Sequence, residues 1–229
     1  MSKIPYEILK EKNEFVLIFD LDGTLIDSLS KKAQIFANLF ITYFDLDKLE
    51  INNIIKFYLN NGTSRSLQFS ELALKYNIEN FDLSVVKTFS NKFSQEFLRL
   101  INNVKPYDFV LEILKDLDQV GAQFGISTSV PQDSDLKTIV DHFFSKINFK
   151  FVFGFKNVNW KKPHYNLLQK IYSKKKFIFV GDTIFDYQVA KENKIHFLGF
   201  KLAFNREFLI FTNWREFYSK LHDLCFIYS

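Results

Sequence analysis

Five short runs along the chain are largely apolar on both faces: Phe15 to Phe19, Gln123 to Thr128, Lys150 to Gly154, Phe177 to Gly181 and Ile195 to Phe200. A strand exposed on one side alternates apolar and polar positions, whereas a run without that alternation fits a strand covered on both faces, as in a parallel sheet. Tyr107 to Val120, closed by Gly121, has helical spacing, and Thr212-Asn213-Trp214 to Leu224 reads as a capped final helix. The stretch 28–104 breaks the strand pattern. Lys32 to Phe44 and Asp82 to Asn102 carry apolar residues at helical intervals, with loop signals at Asn60 to Ser64 and Asn77 to Asp82. The pattern predicts an α/β fold, with a doubly wound, Rossmann-like parallel sheet core from 1–27 and 105–229 and an all-helical insert, 28–104, after the first strand.

Composition narrows the class without changing that picture. Of 229 residues, 47% are hydrophobic and 24% charged, which suits a packed core rather than a disordered chain. One cysteine, Cys225, excludes an internal disulfide framework and a cysteine metal cluster. The excess of 30 Lys and Arg over 26 Asp and Glu is too small to argue for a nucleic-acid partner and is compatible with small anionic ligands. No apolar run approaches the ~20 residues that span a bilayer. The start of the chain has no apolar block of signal type, so a cytoplasmic protein with no membrane partner is expected.

The candidate chemistry sits where the apolar runs end. Asp20-Leu21-Asp22-Gly23-Thr24 follows the first run, at the strand end where open parallel sheets place ligands. In an extended segment Asp20 and Asp22 would point to one side. Two carboxylates about 4 Å apart repel by roughly 4 kcal/mol at an effective dielectric near 20, so the pair needs a cation, a shared proton or a chemical role. Gly23 would let the backbone turn close to a ligand and offer amide N–H groups to an anion. Gly181-Asp182 ends the fourth run in the same way, and Asp186 lies one helical turn further on, where it could also be a capping residue. A third carboxylate raises the repulsion, which Mg²⁺, a hard ion with oxygen ligands, relieves. Ser127-Thr128-Ser129 closes the second run with hydroxyls suited to a phosphate oxygen, and Lys161-Lys162-Pro163 supplies cations at the start of a helical segment.

Taken in order, these pieces resemble the haloacid dehalogenase superfamily of phosphotransferases. Asp20 to Leu25 looks like its first motif, the strand ending at Thr128 its second, Lys162-Pro163 its third, and Gly181-Asp182 with Asp186 its fourth. The helical insert is similar to the α-helical cap of phosphoglycolate-phosphatase-like and β-phosphoglucomutase-like members. The resemblance implies a nucleophilic Asp20 that forms an aspartyl-phosphate, with Asp22 as general acid and then base. It implies Mg²⁺ held by Asp20, Asp22 (through its carbonyl), Asp182 and Asp186, and phosphoryl oxygens bound by Thr128 and Lys162, with Lys161 as the competitor of Lys162. Gly23, Thr24 and Ser129 complete the expected substrate contacts. Arg65, after the loop Gly62-Thr63-Ser64, would either grip a second anionic group on the substrate or stand as a surface arginine. Mutase-like members carry a histidine ten residues beyond the second acid of the first motif, where this chain has Lys32. Relatives often have Asn at the position of Ser129, and a turn-forming Gly near Asn193-Lys194. Here one of those two residues must take the turn, and Asn193 is the expected one because it tolerates left-handed geometry.

The expected activity is Mg²⁺-dependent hydrolysis of a small phosphorylated metabolite. The alternatives are a phosphomutase acting on a sugar phosphate and a non-catalytic phosphate-binding protein of the same fold. Oligomeric state is open.

Overall fold

The structure is a computed structural model that describes residues 14–227 except 62, 79–80, 132–133, 156–160 and 203–206; the side chains at 134, 161–163 and 225–227 also lie outside the description. The chain divides into two compact units, Met1–Ile26 with Pro106–Ser229, and Asp27–Lys105.

The first unit is built on six strands: β1 (Phe15–Phe19), β2 (Gln123–Pro131), β3 (Phe151–Phe155), β4 (Lys176–Gly181), β5 (His196–Phe200) and β6 (Leu209–Phe211). All pair in parallel in the order β3-β2-β1-β4-β5-β6. The chain fills one half of the sheet outward from β1, then returns to its other side at β4. That reversal leaves a topological switch point between β1 and β4. The expected α/β class and parallel sheet are what is found; β6 is additional.

The second unit holds α1 (Leu29–Phe44), α2 (Ile51–Asn60), α3 (Arg65–Lys75) and α4 (Leu83–Arg99). Each of α2 and α3 is short enough to be marginal alone, so tertiary packing must hold them. It does so through aromatic rings. Phe36, Phe40, Phe69, Phe89 and Phe93 are fully buried, and their centroids lie 4.6–6.4 Å apart, mostly tilted or edge to face. At roughly 1.5–3 kcal/mol per buried Phe, this cluster outweighs the propensity cost of its helices. Asp82 starts α4 as a cap, its Oδ1 accepting from the Ser84 and Val85 amides at 2.8 and 3.0 Å. Lys32 is buried too, with Nζ 4.3 Å from the centre of the Phe97 ring.

The remaining helices belong to the first unit: α5 (Val110–Gln119), α6 (Ser134–Phe144), α7 (Lys161–Ile171), α8 (Ile184–Glu192) and α9 (Phe217–Ile227). The turn between α8 and β5 corrects one expectation. Lys194, not Asn193, adopts the left-handed conformation, at φ 56°. Asn193 stays at negative φ, −94°, as the residue that caps the helix, where its side-chain amide donates to the Val189 carbonyl at 2.7 Å. The left-handed position therefore falls one residue later. Trp214 closes the sheet end of this unit, packed against Phe19, Phe200, Phe211 and Phe217.

Candidate active site

β1 and β4 run side by side with Phe19 opposite Val180, and the Asp20 amide donates to the Val180 carbonyl at 2.9 Å. Asp20 and Asp182 therefore leave the sheet on adjacent strands, at the switch point. Asp186 reaches them from the first turn of α8. One carboxylate oxygen from each of Asp20, Asp182 and Asp186 lies within 4.8 Å of the others. At that spacing each charged pair repels by roughly 3 kcal/mol at an effective dielectric near 20. Asp20 and Asp186 are buried, at 7% and 1% exposure, so water screens them poorly.

Local chemistry fixes each member of this group. The Asp186 side chain accepts from the Thr183 amide at 3.1 Å and the Thr183 hydroxyl at 2.6 Å, while the Asp186 amide donates back to the Thr183 hydroxyl at 3.1 Å. This is a capping box, so the capping and clustering readings of Asp186 hold together. Gly181 makes the room: a Cβ there would lie 2.7 Å from Asp186 Cβ and Oδ2. Asp182 is oriented by the Thr24 hydroxyl, which donates to its Oδ1 at 2.9 Å. Thr24 is fully buried, and its carbonyl accepts from Trp214 Nε1 at 3.1 Å.

The carboxylate of Asp22 does not join this group. The chain leaves the extended path after β1, with the Leu25 and Ile26 amides both donating to the Leu21 carbonyl. Asp22 is half-buried at the start of this loop, two residues beyond Asp20. Gly23 adopts φ 82°, which glycine permits, but its N–H donates to the Ile26 carbonyl at 2.9 Å. That amide is used within the loop, not offered to an anion.

Thr128 is fully buried within β2 and its Oγ1 accepts from the Val130 amide at 3.3 Å, while Ser129 is exposed. Lys161 and Lys162 open α7, and their side chains lie outside the described residues. Arg65, read above as a possible substrate grip, has its guanidinium 3.9 Å over the Phe93 ring. Its Nη1 donates to the Ser90 carbonyl and the Ser94 hydroxyl, each at 3.0 Å, bracing α3 on α4. Gly62 of the same loop lies outside the described residues.

One residue escaped the sequence reading. The His164 ring, on α7, lies with Nδ1 2.9 Å from Ser127 Oγ and Nε2 3.0 Å from the Gly154 carbonyl. A histidine after Lys-Pro gives no signal of this, because its partners stand 37 and 10 positions away.

The three-carboxylate group fits a hard divalent cation. Its donors are all oxygen, with no sulfur or imidazole among the described residues that form it. Residues 17–200 match the family model of haloacid dehalogenase-like hydrolases. No curated protein matches the chain. Among solved structures, a predicted phosphatase from Clostridium acetobutylicum is similar at 19% identity, with a TM-score of 0.70 over 92% of this chain and 98% of that one. A predicted phosphoglycolate phosphatase from Haemophilus somnus is 21% identical, with a TM-score of 0.65 over 93% and 97%. A variant of CbbY from Rhodobacter sphaeroides, in complex with xylulose-1,5-bisphosphate, is 13% identical, with a TM-score of 0.66 over 87% and 94%. Among the described residues no helix is long and apolar enough to cross a membrane.

Proposed function

From the premise that the chain belongs to the haloacid dehalogenase-like hydrolases, we propose that it is a Mg²⁺-dependent phosphatase that hydrolyses the phosphate monoester of a small metabolite through an aspartyl-phosphate on Asp20. The observation that carries this reading is the convergence of Asp20, Asp182 and Asp186 at the switch point of the sheet. Three buried or half-buried carboxylates at this spacing are stable together with a cation, and a carboxylate beside a cation is suited to approach an anionic phosphoryl group. The complex of the CbbY relative with a sugar bisphosphate supports a phosphorylated substrate.

Asp20, Asp182 and Asp186 would hold Mg²⁺, with the Asp22 carbonyl. When bound, the ion would neutralise the phosphoryl oxygens and lower the charge barrier to attack by an anion. Asp20 attacks phosphorus, the new O–P bond forms, and the ester P–O bond breaks. Asp22, whose carboxylate is not one of the three that would hold the ion, gives its proton to the departing alkoxide. It then takes a proton from the water that attacks the aspartyl-phosphate, which releases inorganic phosphate and restores both carboxyl groups. Thr128 and Lys162 bind the phosphoryl oxygens as charge spreads over them. Thr24 acts behind this layer, by orienting Asp182.

The test is hydrolysis of p-nitrophenyl phosphate with and without Mg²⁺, in wild type and in Asp20→Asn. The expected result is Mg²⁺-dependent release of phosphate, lost in the variant while its circular dichroism spectrum is unchanged. Wild-type turnover by Asp20→Asn removes the nucleophile, and a wild type inert toward a broad panel of phosphate esters removes the activity.

A further inference from the structure

We propose that His164 is a positioning residue that sets Lys162 and Thr128 relative to one another; the role rests on the phosphatase reading above. Its ring spans three elements. It sits on α7, two residues beyond Lys162, and bonds to Ser127 on β2 and to Gly154 on β3. The Phe153 ring flanks it at 5.1 Å between centroids. A carbonyl can only accept, so Nε2 carries the hydrogen that Gly154 receives. In the neutral ring Nδ1 then accepts from the Ser127 hydroxyl. Two partners thus select one tautomer and one ring orientation.

Ser127 immediately precedes Thr128, at the point where the pairing of β2 with β3 shifts register. The His164 bond therefore grips β2 at the residue next to Thr128. On the helix, the same ring anchors the first turn of α7, which bears Lys162, to two neighbouring strands. A lysine ammonium at the end of a flexible stem delivers its charge only as accurately as the helix that carries it. A displacement of about 1 Å in such a group can cost on the order of 100-fold in rate. A ring that only filled the core would stabilise the fold and leave turnover per folded molecule unchanged, so the two roles separate experimentally.

The experiment compares wild type, H164A, H164N, K162A and the H164A/K162A double variant on p-nitrophenyl phosphate, with melting temperature and the Mg²⁺ concentration for half-maximal rate measured on each. H164A is expected to lower kcat about 10- to 100-fold and to weaken competitive inhibition by inorganic phosphate, with the Mg²⁺ requirement unchanged. H164N keeps a group able to accept from Ser127 and is expected to fall between the two; it also carries the test if H164A does not fold. Because His164 acts through Lys162, the double variant is expected within about twofold of K162A. Multiplying effects, or a lowered melting temperature with unchanged kcat, would overturn the role. Nitrogen-15 shifts of the wild-type ring provide a readout independent of activity and are expected to report Nε2–H. An active wild type with the Nδ1–H tautomer overturns His164 alone. An inactive wild type with Nε2–H in place overturns the phosphatase reading, and the positioning role with it.

Discussion

Adding one methyl group at Gly181 would place a Cβ 2.7 Å from Asp186 Cβ and Oδ2 and 2.8 Å from Cγ. Neither side can give way cheaply. The new atom is fixed to β4, and Asp186 Cβ is fixed to the first turn of α8. Relief requires the carboxylate to move by about 1 Å, which breaks its bonds from the Thr183 amide and hydroxyl. Overpacking of this kind costs roughly 1–3 kcal/mol. Loss of the capping interaction adds about 1 kcal/mol. The sum, roughly 2–4 kcal/mol, corresponds to a melting temperature lower by about 10 °C in a chain of this size. The same movement takes Asp186 out of the carboxylate group, and disturbed metal-site partners typically lose about 10- to 100-fold in affinity. Gly181→Ala should therefore combine a large loss of thermal stability with a higher Mg²⁺ requirement, read by differential scanning fluorimetry and by Mg²⁺ titration of phosphate release. Asp186→Asn, which keeps the volume, should raise the Mg²⁺ requirement with a smaller thermal effect. A Gly181→Ala protein with wild-type melting and wild-type Mg²⁺ dependence would refute the packing argument.

Thr24→Val keeps the shape but removes the bond to Asp182; it should raise the Mg²⁺ concentration for half-maximal rate and lower stability by about 1 kcal/mol, measured by Mg²⁺ titration and urea unfolding. Asp82→Ala removes the α4 cap and should cost about 1 kcal/mol with kcat unchanged, checked by thermal melts beside a steady-state assay. Burial, and then the neighbouring Lys176, hold the His196 pKa below its ordinary value. The unfolded chain therefore binds more protons than the folded one as pH falls through about 6.5, so stability from this group is present above that pH and lost below it. His196→Gln should flatten the acid limb of the urea midpoint between pH 7.5 and 5, and an unchanged slope would count against the assignment.

Residues whose role is set by nearby sequence were legible. Phe15 to Phe19 read as a doubly covered strand because every position is apolar, and Asp20 follows at its tip. The helical insert was recognisable from α1 and α4, the two long amphipathic helices of 16 and 17 residues, whereas α2 and α3 are only 10 and 11 residues long and are held by rings from other segments. β6 is three residues long, too short for a periodic signal. At the site, Asp182 and Asp186 were readable from the strand end and the helix start. The turn after β1 was not, because it depends on the Leu25 and Ile26 amides folding back onto the Leu21 carbonyl. The role of Thr24 depends on Asp182, 158 positions away, and that of His164 on two strands at once. Contacts of that range leave no local trace.

The indole of Trp214 hydrogen-bonds the Thr24 carbonyl, and the hydroxyl of the same threonine holds Asp182. The chain has two tryptophans, so a Trp160→Phe protein would keep a single indole, linked to Asp182 through one residue. Its emission, excited at the indole band, should then shift on titration with Mg²⁺ if the three carboxylates take up the ion, an optical gauge readable in a cuvette before any substrate is known.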